Sequence, residues 1–285
     1  MELRHVACRE GRLSSFLKEE MAMSTGLMNR LKWQDKLFVN GIPQHTDYPV
    51  KTGDVITAQL DERSPEYPAE DIPVTILYED DHILAVDKPA GILIHPSRSR
   101  LTGTLANRVL GYYRRTNQSC AFHPITRLDR DTFGIVLLAK NSHIHSLLQA
   151  CPMDKTYHAL VYGGPEQDSG SIDAPIARKP LPSLLRYVNR EGKQSLTEFA
   201  VLERFAGHTK LALRPITGRT HQLRLHCAYM GYPILGDPQY GSPESAAYSA
   251  RHNLEHQLLC AKRLEFIHPI TGVPMCMESK MDVQL

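Results

Sequence analysis

The sequence holds no Cys-x-x-Cys pair: its six cysteines, at 8, 120, 151, 227, 260 and 276, stand at least 16 residues apart. That spacing excludes zinc-ribbon and thioredoxin-type motifs and predicts reduced, mostly buried thiols in a reducing compartment. Both backbone cradles for nucleotide phosphates, Gly-x-x-x-x-Gly-Lys-[Ser/Thr] and Gly-x-Gly-x-x-Gly, are missing, so no cofactor is expected. No apolar run approaches the roughly 18 residues that a membrane span needs, and the opening MELRHVACREGR lacks the apolar core of a signal peptide. A cytoplasmic protein with no membrane partner is the expectation. Metal is not indicated either. His252 and His256 are four apart, but in HNLEH, without the Glu that a zincin sets beside its first His. His143 and His145 would point apart on a helix. Charge of one sign is also scarce: 33 Lys and Arg stand against 31 Asp and Glu, a net +2, which on the total excludes a polybasic nucleic-acid binder.

What is present describes an ordinary globular chain, 42% apolar and 22% charged, which excludes a disordered or fibrous protein. At roughly 100–200 residues per domain, 285 residues suggest two units. The boundary falls at 61–73, DERSPEYPAEDIP, where five acids and three prolines predict a stiff, solvated linker. A small α/β module at 1–60 precedes it and a larger unit at 74–285 follows. In the module, Leu13, Phe16 and Leu17, then Leu27, Leu31 and Trp33, recur at helical spacing, with Ser24 a candidate N-cap. A short β element follows, with turns at Asn40-Gly41 and Gly53-Asp54. Sixty residues bury only a modest core, so such a module serves as an appendage. The larger unit alternates β-like runs (VTILYED, HILAVDK, GIVLLAK, TYHALVYG, SLTEFAVLERF, TKLALRPI) with helices expected at 103–115, 141–151 and 219–229. Regular long helices do not separate the strands. The expected fold class is therefore α+β with a mixed, mostly antiparallel sheet, not a doubly wound parallel one.

Three segments carry chemistry. In ITRLDRDTFGIVLLAK, Asp129 is flanked by Arg127 and Arg130, and a carboxylate beside guanidinium groups stays ionised. That suits a nucleophile or an electrostatic stabiliser; the same spacing also fits a salt-bridged turn before a buried strand. In PITGRTHQLRLHCAYMGYPILGDPQYG, the residues Arg219, Thr220, His221, Gln222 and Arg224 crowd the opening of an expected helix, whose free N–H groups would face an anion. A solvated polar helix face is the alternative. In DKTYHALVYGG, strand alternation puts Lys155, Tyr157, Ala159 and Val161 on one side, and Tyr157 suits stacking on a base as well as ordinary packing.

The balanced total hides local excess. Residues 98–120 hold Arg98, Arg100, Arg108, Arg114 and Arg115 and no acid. Residues 178–193 hold Arg178, Lys179, Arg186, Arg190 and Lys193 against Glu191. Tyr112, Tyr113 and Tyr187 lie among them, and cations interleaved with aromatics suit a folded, partly single-stranded RNA. Two solvated, charged faces would read the same.

Taken together these segments resemble the RluA-type pseudouridine synthase family. VDKPAGILIHP (86–96), RLDRDTFG (127–134), KTYHALVYG (155–163), TGRTHQLRLHCAYMGYPILGDPQYG (217–241) and LLCAKRLEFIHPITG (258–272) match its motifs in order over about 190 residues. The first sixty residues are similar to the ribosomal-protein-type RNA-binding module, the alpha-L motif. The resemblance implies isomerisation of uridine to pseudouridine within RNA: the uracil is cut from the ribose, rotated while held, and rejoined through carbon 5. It implies Asp129 as the catalytic carboxylate, Arg224 as its partner, and Tyr157 packed on the base and assisting removal of the carbon-5 proton. Arg127 would enter the space left by the flipped nucleotide, with Arg130, Arg219, His221, Arg98, Arg100 and Arg186 as further RNA contacts. Ribosomal RNA is the expected partner, with transfer RNA also used in the family, and a monomer without an obligate protein partner is expected. Thr126, Phe133 and Cys260 depart from the family's usual His, Ser and His. Two other classes stay open on the residues alone: a non-catalytic RNA-binding or ribosome-assembly protein on the same scaffold, and a glycosidase. The glycosidase reading is the weaker, because no second acid beside Asp129 has comparable support.

Overall fold

The structure is a computed structural model that describes residues 2–60, 67–97, 100–180, 183 and 185–285. Its first part runs β1 (Glu2–Val6), β2 (Gly11–Arg12), α1 (Leu13–Glu19), α2 (Thr25–Lys32), β3 (Leu37–Val39), β4 (Ile42–Pro43), β5 (Pro49–Val50) and β6 (Val55–Gln59). The order β1-β6-β3-β4 forms a four-stranded sheet, and β2 pairs with β5. Leu13, Phe16 and Leu17 of α1 and Leu27 and Leu31 of α2 fill one core with Leu37 and Ile56, as helical spacing predicts. Ser24 caps α2, its Oγ accepting from the Leu27 N–H at 3.2 Å. Two features differ from the sequence expectation. β1, half-exposed along its length, precedes the helices. Trp33, grouped above with the apolar positions, follows the last turn of α2 and is 83% exposed.

The larger part runs β7 (Thr75–Glu79), β8 (Ile83–Lys88), α3 (Leu105–Arg115), β9 (His123–Pro124), β10 (Phe133–Ala139), α4 (Ser142–Ala150), β11 (Met153–Tyr162) and β12 (Ser169–Asp173). It continues with β13 (Ile176–Arg178), β14 (Arg186–Val188), β15 (Leu196–Phe205), β16 (His208–Pro215), α5 (Gln222–Tyr229), α6 (Pro243–Arg251), β17 (Leu259–Ile267) and β18 (Pro274–Glu278). The sheet has the order β12-β15-β16-β11-β17-β10-β8-β7, with β18 added on β17 and β9 on β10; β13 and β14 form a separate arm. Among the described residues its pairs are antiparallel except β10 with β17. The class is α+β, as expected.

The strands β8 and β10 read as continuous apolar runs because both faces are covered. Leu84, Val86, Val136 and Leu138 pack with Leu105, Val109 and Tyr113 of α3, while Ile83, Ala85, Ile135 and Leu137 pack with Ile144 and Leu148 of α4. Capping fixes where the helices start. Thr104 and Asn107 form a reciprocal box at α3, the Asn141 side chain accepts from the Ile144 N–H at α4, and Ser242 and Ser245 form a box at α6, with Pro243 at its first position. That last helix was not expected from periodicity. Of the six cysteines, all free, only Cys227 and Cys260 are buried, fewer than expected. No helix among the described residues is long and apolar enough to cross a membrane.

Half of the expected linker, 61–66, lies outside the described residues. The stretch from 67 on is packed where solvation was expected. Asn107 Nδ2 donates to the Pro68 carbonyl at 2.8 Å, Glu70 N–H donates to the Asn107 carbonyl at 2.9 Å, and Asp71 meets Arg115. Gly111 is what lets the segment approach, since a Cβ there would stand 1.8 Å from the Glu70 carbonyl oxygen. Alanine ordinarily gains about 1 kcal/mol over glycine in a helix. Here the clash dominates, so Gly111→Ala is expected to lower unfolding free energy by about 1–3 kcal/mol. Urea denaturation checks this as a lower midpoint at unchanged slope.

Candidate active site

At the centre lies a buried guanidinium. Arg224, on the first turn of α5, has 6% of its side chain exposed and accounts for three partners. Its Nε and Nη2 bind the two oxygens of Asp237 at 2.7 and 2.8 Å, a fork-to-fork pair, and Nη2 also donates to Gln239 Oε1 at 2.9 Å. Nη1 is left to reach Asp129 Oδ2 at 3.0 Å. The Tyr240 ring lies under the guanidinium, 5.1 Å from its carbon. Burial pushes the Arg224 pKa down, but the hydrogen bonds and charge of Asp237, with Asp129, raise it above the ordinary value.

Asp129 sits on the loop between β9 and β10, and the loop is held from behind. Lys88, fully buried at the end of β8, donates to the carbonyls of Pro89, Ile92 and Arg130 at 2.9, 3.0 and 2.9 Å. Burial pushes its ammonium down to about 7, against the opposing pull of Asp131 and Asp129. Three carbonyl acceptors match the three N–H bonds of the charged form. Further along, the Gln257 amide donates to Thr132 Oγ1 at 2.8 Å. Gly134 then enters β10 at φ +106°, and a Cβ there would stand 2.4 Å from the Ala261 carbonyl oxygen. Ala261 is the register partner of both Gly134 and Tyr157, so the exit of the Asp129 loop and Tyr157 lie in line across three strands. A register shift at Thr156/Tyr157 marks a bulge where Tyr157 stands. Burial pushes the half-buried Tyr157 hydroxyl up to about 12, with Asp129 and Cys260 adding to it.

The flanking arginines do not hold Asp129, contrary to the local reading. Arg130 turns to Asp131, binding it through Nε and Nη2 at 2.9 Å each, and Arg127 is exposed. Burial raises the Asp131 pKa, but the Arg130 hydrogen bonds and charge outweigh it and lower the net value. The carboxylate of Asp129 meets instead Arg224, 95 residues on. Residues 219–221 also precede α5 instead of opening it. Arg219 is exposed, with Nε on the Gln194 carbonyl at 3.2 Å. His221 has φ 58°, in the left-handed region, and stands 3.8 Å from Asp129 Oδ2 through Nε2.

Arg186, on β14, lies beside this group and donates its backbone N–H to the Tyr240 hydroxyl at 3.1 Å. Arg100 is exposed in the turn before α3, and Arg98 lies outside the described residues. Tyr113 is buried and so offers no face to a base, while the hydroxyl of the half-buried Tyr112 is bonded to Glu79. No group of three or more His, Cys, Asp or Glu that could hold a metal occurs among the described residues. Sequence reasoning missed Lys88, Asp237, Gln239 and Tyr240. A signal existed for each: Lys88 is a charge closing an apolar strand, and the other three stand in the Gly-Asp-Pro-Gln-Tyr-Gly turn.

Residues 82–229 match the family model described as RNA pseudouridylate synthase, which shows the chain to be a member of that family. Among curated relatives, the uncharacterized RNA pseudouridine synthase YjbO of Bacillus subtilis is 36% identical over 88% of this chain and 89% of its own length. Ribosomal large subunit pseudouridine synthase D of Pseudomonas aeruginosa is 39% identical, over 76% and 71%. Ribosomal large subunit pseudouridine synthase C of Vibrio cholerae is 31% identical, over 96% and 90%. Human RNA Pseudouridylate Synthase Domain Containing 1 has the same fold, with a TM-score of 0.60, 24% identity, and cover of 76% of this chain and 93% of that one. The protein is thus an isomerase acting on RNA uridines.

Breaking the Arg224 fork leaves a buried charge half-paired. Asp237→Asn is expected to cost about 3–5 kcal/mol of stability, because the guanidinium then lacks its main counter-charge. Chemical denaturation checks the loss, and tritium release from RNA containing carbon-5-tritiated uridine should fall with it.

Proposed function

We propose that the chain isomerises specific uridines in structured RNA, with large-subunit ribosomal RNA as its substrate and Asp129 as the catalytic carboxylate. One observation carries the assignment to Asp129. Of the three carboxylates gathered here, Asp237 is sealed against Arg224 and Asp131 against Arg130, whereas Asp129 keeps 30% of its side chain exposed. It is the carboxylate that a substrate can reach. The substrate class is supported by the relatives named as large-subunit synthases.

A uridine stacked in RNA cannot reach a carboxylate only 30% exposed, so the nucleotide is flipped out, at a cost of a few kcal/mol that RNA contacts offset. Arg127, exposed two residues from Asp129 in sequence, Arg219, exposed ahead of α5, and Arg186 on the β13–β14 arm supply phosphate contacts. Tyr157 packs on the flipped uracil. Its hydroxyl, held protonated by burial, donates a hydrogen bond at neutral pH. The glycosidic bond between the ribose and N1 breaks, the uracil turns, and the ribose joins carbon 5. The proton lost from carbon 5 is balanced by one gained at N1, so the reaction requires no redox partner. The module at 1–60 serves as an RNA-binding appendage, joined through 61–73 to the catalytic unit at 74–285, and the protein works as a cytoplasmic monomer.

Mapping pseudouridines in total RNA with and without the gene tests the whole proposal. Specific sites in large-subunit RNA should disappear on deletion, return with the wild-type gene, and stay absent with Asp129→Asn. An unchanged map, or restoration by Asp129→Asn, would sink it and favour a ribosome-assembly role without catalysis.

A further inference from the structure

Asp129 has a ring nitrogen near it as well as Arg224, and a line of hydrogen bonds bears on where that ring carries its proton. The Arg186 backbone N–H donates to the Tyr240 hydroxyl oxygen at 3.1 Å, and the same oxygen lies 2.8 Å from His221 Nδ1. With its oxygen accepting from Arg186, the hydroxyl is free to give its own proton to Nδ1. An imidazole that accepts at Nδ1 carries its proton on Nε2. The opposite tautomer would aim a bare Nε2 lone pair at the carboxylate and leave the Tyr240 proton without this acceptor. Nε2 is the nitrogen 3.8 Å from Asp129 Oδ2.

The backbone is committed to this aim. His221 takes a left-handed conformation at φ 58°, which is unfavourable for a residue with a side chain. Its ring stands edge-on to Tyr240, 5.7 Å between centroids, and is half-buried. The charged groups facing it are Asp129 from the β9–β10 loop, Arg224 on α5, Arg186 on β14 and Asp237 from the turn after α5. Burial lowers its pKa, Arg224 and Arg186 add to that, and the two carboxylates oppose them without reversing the sign, which favours the neutral ring.

We infer that His221 is a positioning residue for Asp129, not an RNA contact: its Nε2–H shares Oδ2 with Arg224 and leaves Oδ1 as the oxygen presented to the flipped uridine. Among the described residues no hydrogen bond reaches Oδ1. Contacts of this kind shorten when substrate fills the site, which brings a 3.8 Å approach into hydrogen-bond range. The inference rests on the reading of Asp129 as the catalytic carboxylate.

The test uses full-length protein in excess over total RNA from cells lacking the gene, labelled with carbon-5-tritiated uridine. Each titration separates the rate at saturation from the enzyme concentration at half-saturation. His221→Asn tolerates the left-handed backbone and can still accept from Tyr240, but does not reach Asp129. Its saturating rate is expected to fall about 10–100-fold with half-saturation unchanged. His221→Gln sets an amide N–H where Nε2 stands and should recover about a third or more of the wild-type rate. In nitrogen-15 NMR, His221 should show a single neutral Nε2–H tautomer at pH 6.5, the ordinary histidine midpoint, and Tyr240→Phe should abolish that preference. Loss confined to half-saturation would make His221 an RNA contact, and a Gln variant as slow as Asn would make the ring mere packing. An Nδ1–H tautomer would overturn the inference directly. Asp129→Asn separates the two readings. Activity in that variant defeats the carboxylate assignment, whereas an inactive Asp129→Asn beside a full-rate His221→Asn defeats only the positioning role.

Discussion

Everything at the site depends on keeping one guanidinium charged inside the protein. Arg224 is nearly solvent-free, and an isolated charge there would cost several kcal/mol. Asp237 removes most of that cost with two short hydrogen bonds, and Gln239 and the Tyr240 ring occupy further surface of the cation. The order of commitments matters. Because Asp237 takes Nε and Nη2, only Nη1 is left to face Asp129, which meets a donor of fixed direction. An arginine bound to Asp129 alone would be free to swing. The carboxylate is thus oriented by a residue that is itself oriented, which is how positioning is held to fractions of an ångström.

The sheet brings these groups together from distant parts of the chain. β10, β17 and β11 are neighbours, and the register Gly134–Ala261–Tyr157 spans them at roughly 5 Å per step. Gly134 allows β10 to enter beside β17 where any side chain would collide with backbone. The loop ahead of β10 is pinned in turn by Lys88, which ends a strand buried on both faces and cannot move without disturbing the cores under α3 and α4. Rigidity of the central strands is therefore transmitted to the Asp129 loop through one ammonium and the Arg130 carbonyl.

What could be read from the sequence follows range of interaction. Capping at Ser24 and the helical stripes of α1 and α2 depend on residues three or four apart and were legible. So was the α+β class, which needs only the kinds and order of elements. The partner of Asp129 was not legible from spacing: Arg127 and Arg130 are adjacent in sequence, yet Arg130 binds its other neighbour, Asp131, and the contact comes from Arg224. The resemblance supplied that pairing where local electrostatics misassigned it. His221 was misplaced for a related reason, since helical spacing was extended over 219–221, and the left-handed turn there has no periodic signal. α6 carried its own signal in Ser242-Pro243, an N-cap followed by proline, which hydropathy alone overlooks.

The three departures from the family pattern fall where packing, not chemistry, uses them. The Thr126 hydroxyl accepts from the Leu137 N–H at 3.0 Å and so satisfies a buried β10 donor at the base of the loop. Phe133 and Cys260 are direct register partners on β10 and β17 and pack in one cluster. Burial also pushes the Cys260 thiol up to about 12, so it sits there as a small apolar group and not a reactive one. Because the two side chains pack together, a larger side chain at Cys260 would strain β10 beside Gly134. Through that strand it would reach the Asp129 loop, although neither side chain belongs to the group around Arg224.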